Sequence, residues 1–178
     1  MIGLILCGGK GERMKGVLPI GFPKVNVQVG GVPIIDYVEA SARALGCDPI
    51  VRGDDPDVGT VAVVEKHRRR EFFDGSRAAQ PSDALVFNGD TLLFGSLKLP
   101  EELFDYDRLV PILGRSVESH HLATALYFVP KAARLPKERF NLEDIAVPSS
   151  YDAGETLSFI DCGTPRGLRE ARNRIEAP

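Results

Sequence analysis

The chain has 178 residues, 43% of them hydrophobic and 26% charged, and carries a net charge of −3. That length suits a single domain spanning residues 1–178, with apolar content for a core of ordinary size. The slightly negative total excludes a global attraction to nucleic acid or an anionic membrane, so any phosphate recognition has to be local. Cys7, Cys47 and Cys162 form neither a CxxC pair nor zinc-ligand spacing. A scattered, odd set of cysteines fits a reducing compartment. No basic segment leads into an apolar run at the N-terminus, and no apolar stretch is long enough to span a bilayer. The expectation is a cytoplasmic globular protein.

In chain order, IGLIL (Ile2–Leu6) reads as a short buried strand. KVNVQVGG (Lys24–Gly31) alternates as a strand and ends in a Gly-Gly turn signal. Pro33 opens a helix, IIDYVEASARAL, stopped by Gly46, with Ile34, Tyr37, Val38 and Leu45 near one face. PIVRG (Pro49–Gly53) is a weak strand, DDPDVG a polar loop, TVAVVE (Thr60–Glu65) a stronger strand, and KHRRREFF helical. ALVFNGD (Ala84–Asp90) is a buried strand entering a polar turn. RLVPIL and LATALYFV are further strands, and Pro111 points to an edge position for the first. VPSSYDAGE (Val147–Glu155) is polar and turn-rich and reads as a mobile connection. LSFI (Leu157–Ile160) is a last strand, and Pro165 starts a C-terminal helix. Strands alternating with helices imply an α/β fold with a mostly parallel sheet.

In open α/β sheets, ligands bind beyond the carboxyl ends of the strands. Three such ends carry polar residues here: CGGKGERM, FNGD and FIDCGTP. The first is not a P-loop, because no GxxxxGKS/T string occurs. Nor is it a dinucleotide fingerprint, because Met14 stands where GxGxxG needs its last glycine. Its glycines still allow close backbone approach to an oxyanion, and Lys10, Arg13, Lys15 and Lys24 supply charge. An ordinary turn with solvated lysines explains that string alone equally well. Asp90 and Asp161, taken singly, are more often turn or capping residues than ligands. Two carboxylates converging on a phosphate loop could instead hold Mg²⁺, which takes hard oxygen donors.

Taken together, LILCGGKGERM, FPKVNVQVGGVPIIDYV, VFNGDTLLF, FNLEDIAVP and FIDCGTPRGLREA resemble the sugar-1-phosphate nucleotidyltransferase (sugar pyrophosphorylase) family, nearest its heptose- and mannose-1-phosphate guanylyltransferase branch. The resemblance implies a three-layer Rossmann-like nucleotide-diphospho-sugar transferase fold with a mostly parallel mixed sheet. It implies a reaction of an NTP with a sugar 1-phosphate to give an NDP-sugar and pyrophosphate. By the same resemblance Asp90 and Asp161 hold Mg²⁺, while Arg13 and Lys24 are catalytic cations. Leu6, Cys7, Gly8, Gly9 and Gly11 form the nucleotide cradle, Asn88 and Gly89 border the nucleoside, and Glu143 lies near the sugar. A solvated first-turn residue is an equal reading of Glu143.

The chain departs from the family pattern in its middle. A Gly-Thr-rich base-reading loop and a Glu-Lys pair after the NGD strand are not recognisable. A module that binds nucleotide or NDP-sugar without turning it over is therefore the alternative. A molybdopterin or polyol-phosphate acceptor is a third reading, against which FIDCGTP speaks for sugars. A homodimer would complete a shortened sugar site. Of the remaining motifs, KHRRR (Lys66–Arg70) reads as a solvated helix face and ESHH (Glu118–His121) as a surface turn. Phe72-Phe73 and Tyr127-Phe128 read as packing, or as aromatics lining a sugar.

Overall fold

A computed structural model describes residues 1–8, 12–19, 21–48, 50–53, 59–68, 81–136, 141–145 and 149–176. Strand β1 (Ile2–Leu6) opens the chain, and two-residue strands β2 (Gln28–Val29) and β3 (Val32–Pro33) form a small hairpin across Gly30-Gly31. Helix α1 (Ile34–Ala44), β4 (Ile50–Gly53), α2 (Gly59–Arg68), β5 (Ala84–Asn88) and β6 (Thr91–Gly95) follow. The second half holds β7 (Val110–Ser116), β8 (Leu122–Val129), β9 (Tyr151–Asp152), β10 (Leu157–Asp161) and α3 (Pro165–Glu176).

The main sheet runs β4-β1-β5-β8-β7-β10-β6, with β9 also paired to β7. Only β8 and β6 run against the other strands. α1 and α3 cover one face over a core that includes Ile35, Val38, Leu85, Phe87, Ile112, Leu126 and Leu168. α2 covers the other face over Leu4, Val86 and Val129. The result is the expected three-layer α/β arrangement.

One feature of this order positions the site. Four strand-to-strand steps separate β5 from β6 along the sheet, about 19 Å if it were flat. Only Gly89 and Asp90 connect the two strands, and three Cα steps reach at most about 11 Å. The sheet therefore curls, and β6 comes back beside the strand it left, where α1 packs against it. This curl brings the start of β6 to the end of β10, with Thr91 opposite Asp161.

Several sequence expectations need correction. TVAVVE is not a strand but the body of α2. Its β-branched run cost the helix at most about 0.7 kcal/mol per residue, whereas burying one valine is worth about 1.5–3 kcal/mol. Val61, Val63 and Val64 are all buried against the sheet, so burial wins over propensity. KHRRR is not wholly a solvated face, because Arg68 is buried. Its guanidinium donates to the carbonyls of Ser82, Pro130, Lys131 and Ala133 and to Glu65, 2.8 Å away. Arg69, Arg70 and Phe72-Phe73 lie outside the described residues.

Pro111 does not mark a sheet edge: β7 lies inside the sheet between β8 and β10. At Pro111 itself only β8 flanks the chain, since pairing with β9 begins at Ile112, so the missing N–H breaks no ladder on that side. KVNVQV begins as a short 3-10 turn, Lys24–Asn26, before β2. TLLFG forms β6, which sequence periodicity did not single out. Within VPSSYDAGE, Tyr151–Asp152 is fixed as β9 against β7, whereas residues 147 and 148 lie outside the described set.

Candidate active site

Each basic residue at the site is followed by an apolar anchor. Arg13 sits in the one-turn 3-10 segment Glu12–Met14, whose Met14 is buried in the core. Lys24 opens the turn Lys24–Asn26 after Pro23, and Val25 is buried behind it. The anchors hold the turns down and leave the long cationic side chains free to reach across the carboxyl ends of the strands.

What they reach are the two aspartates. Arg13 Nη1 donates to Asp161 Oδ2 at 2.7 Å, and Lys24 Nζ donates to Asp90 Oδ2. The pairs differ in burial. The Lys24 and Asp90 side chains are 17% and 7% exposed, against 59% and 29% for Arg13 and Asp161. The outer pair is thus well screened by solvent and contributes little to stability. The inner pair is strongly coupled, and losing one partner would strand a buried charge.

Gly163 packs against three of the four groups, Asp90, Asp161 and Arg13. A Cβ there would collide with Asp90 Oδ2 and come within 2.9 Å of Asp161 Oδ1 and 3.0 Å of Arg13 Nη2. Its own N–H donates to Asp161 Oδ1 at 2.9 Å. The next turn is tied down as well: Thr164 Oγ1 donates to the Asp161 carbonyl and accepts from Gly167 N at the start of α3. The Asp90 carbonyl accepts from Cys162 N at 2.8 Å. Gly89 is the other close approach. Its N–H donates to the Leu6 carbonyl at 2.9 Å, and a Cβ would press on that oxygen and on Val25.

The structure describes several of the other expected site residues. Leu6 and Cys7 are half-buried at the end of β1, and Gly8 and Asn88 are exposed beside them. Gly9, Lys10 and Gly11 lie outside the described residues. Glu143 does not join the aspartates. It lies on the α2 side, where Leu142 N donates to Thr60 Oγ1. There its charge, after burial, helps push the Tyr127 hydroxyl up to about 12. The histidines of ESHH sit exposed on the β7–β8 turn, with His120 at φ 61°.

Burial, then Asp90, Asp161 and Glu118, push the Cys162 thiol up to about 12. The FIDCGTP strand end sets Gly163 beside Asp161 without giving it a role, and Glu118 belongs to the ESHH turn. Gly163 was legible only as the G of DCG, and nothing in ESHH distinguished Glu118.

The donor set suits magnesium: two hard carboxylates brought to one point from β10 and from the turn before β6, beside a glycine that leaves no room for a methyl. The cations and carboxylates together can bind, orient and neutralise phosphates.

A profile of the MobA-like NTP transferase domain matches residues 3–93, just over half of the chain. The chain belongs to this nucleotidyltransferase family. The matched stretch contains Arg13, Lys24 and Asp90 but ends before Asp161. Among solved structures, a Bacillus anthracis protein described as a glucose-1-phosphate thymidylyltransferase, crystallised with sucrose, aligns at TM-score 0.70 and 14% identity, covering 100% of this chain and 96% of that one. UDP-glucose pyrophosphorylase from Acinetobacter baumannii aligns at 0.62 and 15%, covering 100% and 95%. HddC from Yersinia pseudotuberculosis, complexed with GMP-PN, aligns at 0.58 and 19%, covering 98% and 99%. At these identities the structures establish the shared fold. No curated protein matches the sequence.

Proposed function

We propose that this nucleotidyltransferase joins a nucleoside triphosphate to a sugar 1-phosphate, with Mg²⁺, giving an NDP-sugar and pyrophosphate. The observation that carries the reading is the meeting of two ion pairs, Lys24–Asp90 and Arg13–Asp161, with both carboxylates and Arg13 closing on Gly163. It is supported by the family and by neighbours whose names specify sugar 1-phosphate or UDP-glucose chemistry. GTP with a heptose or mannose phosphate is the preferred pair, by resemblance.

The nucleophile is a phosphate oxygen of the sugar 1-phosphate. Its second pKa is about 6, so it is already ionised near neutral pH and needs no general base. It attacks the α-phosphorus while the bond to the β-phosphate oxygen breaks and pyrophosphate leaves. Catalysis then consists of alignment and charge neutralisation. Lys24 neutralises the α-phosphate and the incoming phosphate. Arg13, the more exposed cation, binds the β- and γ-phosphates and stabilises departing pyrophosphate. Asp90 and Asp161 would hold Mg²⁺, which supplies charge stabilisation on the phosphate oxygens when bound. By resemblance, Leu6, Cys7, Gly8, Gly9 and Gly11 cradle the phosphates, and Asn88 and Gly89 border the nucleoside.

The test is pyrophosphate release from a panel of NTPs and sugar 1-phosphates with Mg²⁺. Asp90→Ala and Asp161→Ala should each lower turnover by about 10²-fold or more. Full turnover in both variants would refute the metal assignment. Tight NDP-sugar binding without turnover on any pair would favour the binding-module reading.

A further inference from the structure

The same two ion pairs carry a consequence for how ligands enter, one that rests on the proposed function. Each carboxylate has one cation: Asp90 has Lys24 and Asp161 has Arg13. The cations occupy the oxygens a metal would need, and the carboxylates occupy the donors a triphosphate would need. We propose that Arg13 and Lys24 act as stand-in cations, so that magnesium and the triphosphate bind by a coupled exchange of partners.

The coupling is electrostatic. Magnesium arriving alone must push two cations away from their carboxylates into a site that already holds them. A metal-free triphosphate must draw Lys24 off Asp90 and leave that carboxylate buried and uncompensated, beside Asp161. When both ligands arrive, every charge is exchanged for another of the same sign, and nothing is stranded. Each ligand therefore raises the affinity of the other, and linkage makes the effect reciprocal. The inner pair dominates, because its screening by solvent is weaker.

The test reads metal binding without any nucleotide. Mn²⁺, used as a spin probe for the Mg²⁺ site, is titrated into the wild-type protein, Lys24→Met and Arg13→Gln. Removing a stand-in cation should tighten binding of the metal alone, by about tenfold or more for Lys24→Met and less for Arg13→Gln. A lysine that did not compete with the metal for Asp90 would leave this affinity unchanged. Equal affinity in all three proteins overturns the exchange and leaves the proposed function standing. Should Lys24→Met fail to fold, Arg13→Gln decides, since its pair is exposed and screened. A separate titration of the wild type with a non-hydrolysable NTP in the presence of Mg²⁺ isolates the parent reading: no binding there overturns both.

Discussion

Gly163 is the residue whose replacement would be most informative. The methyl of Gly163→Ala has nowhere to go, because Asp90 is buried and held by Lys24, and Asp161 is held by Arg13 and by the Gly163 N–H itself. Overpacking of this kind costs about 1–3 kcal/mol of stability. A displacement of about 1 Å in reacting groups can cost 10²-fold in rate. The expected result is pyrophosphate release reduced by about 10²-fold, with the far-ultraviolet dichroism unchanged. Arg13, Lys24, Asp90 and Asp161 were legible from residue type and motif, because phosphate chemistry without a general base calls for cations and hard oxygens. Their pairing was not legible: Arg13 and Asp161 lie 148 residues apart in sequence, Lys24 and Asp90 66 apart.

At the scale of elements, α2 is where local sequence misleads. Valine-rich TVAVVE has a strand's composition, yet the sheet face over Leu4 and Val86 takes it as a helix. The helix ends in Arg68, whose guanidinium reaches five acceptors and ties α2 to the segment after β8. Methionine fills much of the same volume but leaves those carbonyls unpaired. Arg68→Met should lose about 3–5 kcal/mol, the range for breaking a buried charged network, as a lower urea midpoint. Arg68→Lys should also destabilise, since an ammonium cannot reproduce the planar fork. The strands were easier to read: β1, β5, β8 and β10 are short, bounded apolar runs, and each was found close to where it was expected. β6 escaped because TLLFG follows β5 after only two residues. In a flat sheet such a short link would make a hairpin, and here the two strands do not pair.

For the molecule as a whole, burial of its thiols sets a pH dependence. Cys162 is pushed up to about 12 and Cys47 to about 11, in both cases chiefly by burial. Unfolding returns both to about 8.5. Above that pH the unfolded chain loses protons that the folded chain keeps, so stability falls as the pH rises. It is fully present below the unfolded value, and the loss runs through the window from about 8.5 towards 12. Urea midpoints measured from pH 7 to pH 10.5 should decline over the upper part of that range, and Cys162→Ala should flatten the decline. An unchanged slope in that variant would show that Cys162 does not drive it.

By itself the sequence determined the parts: a phosphate-suited glycine loop, two cations each followed by an apolar anchor, two aspartates at strand ends, and the alternation that makes an α/β sheet. These are local properties, fixed by side-chain chemistry and spacing. The tertiary structure decided which cation meets which aspartate, that α2 is a helix, that Arg68 is a buried clamp, and that Glu143 stands apart from Asp90 and Asp161. Those outcomes depend on the curl of the sheet, which returns β6 to the end of β10. The curl arises from the two-residue link and the strand order together, and no single stretch of sequence encodes it.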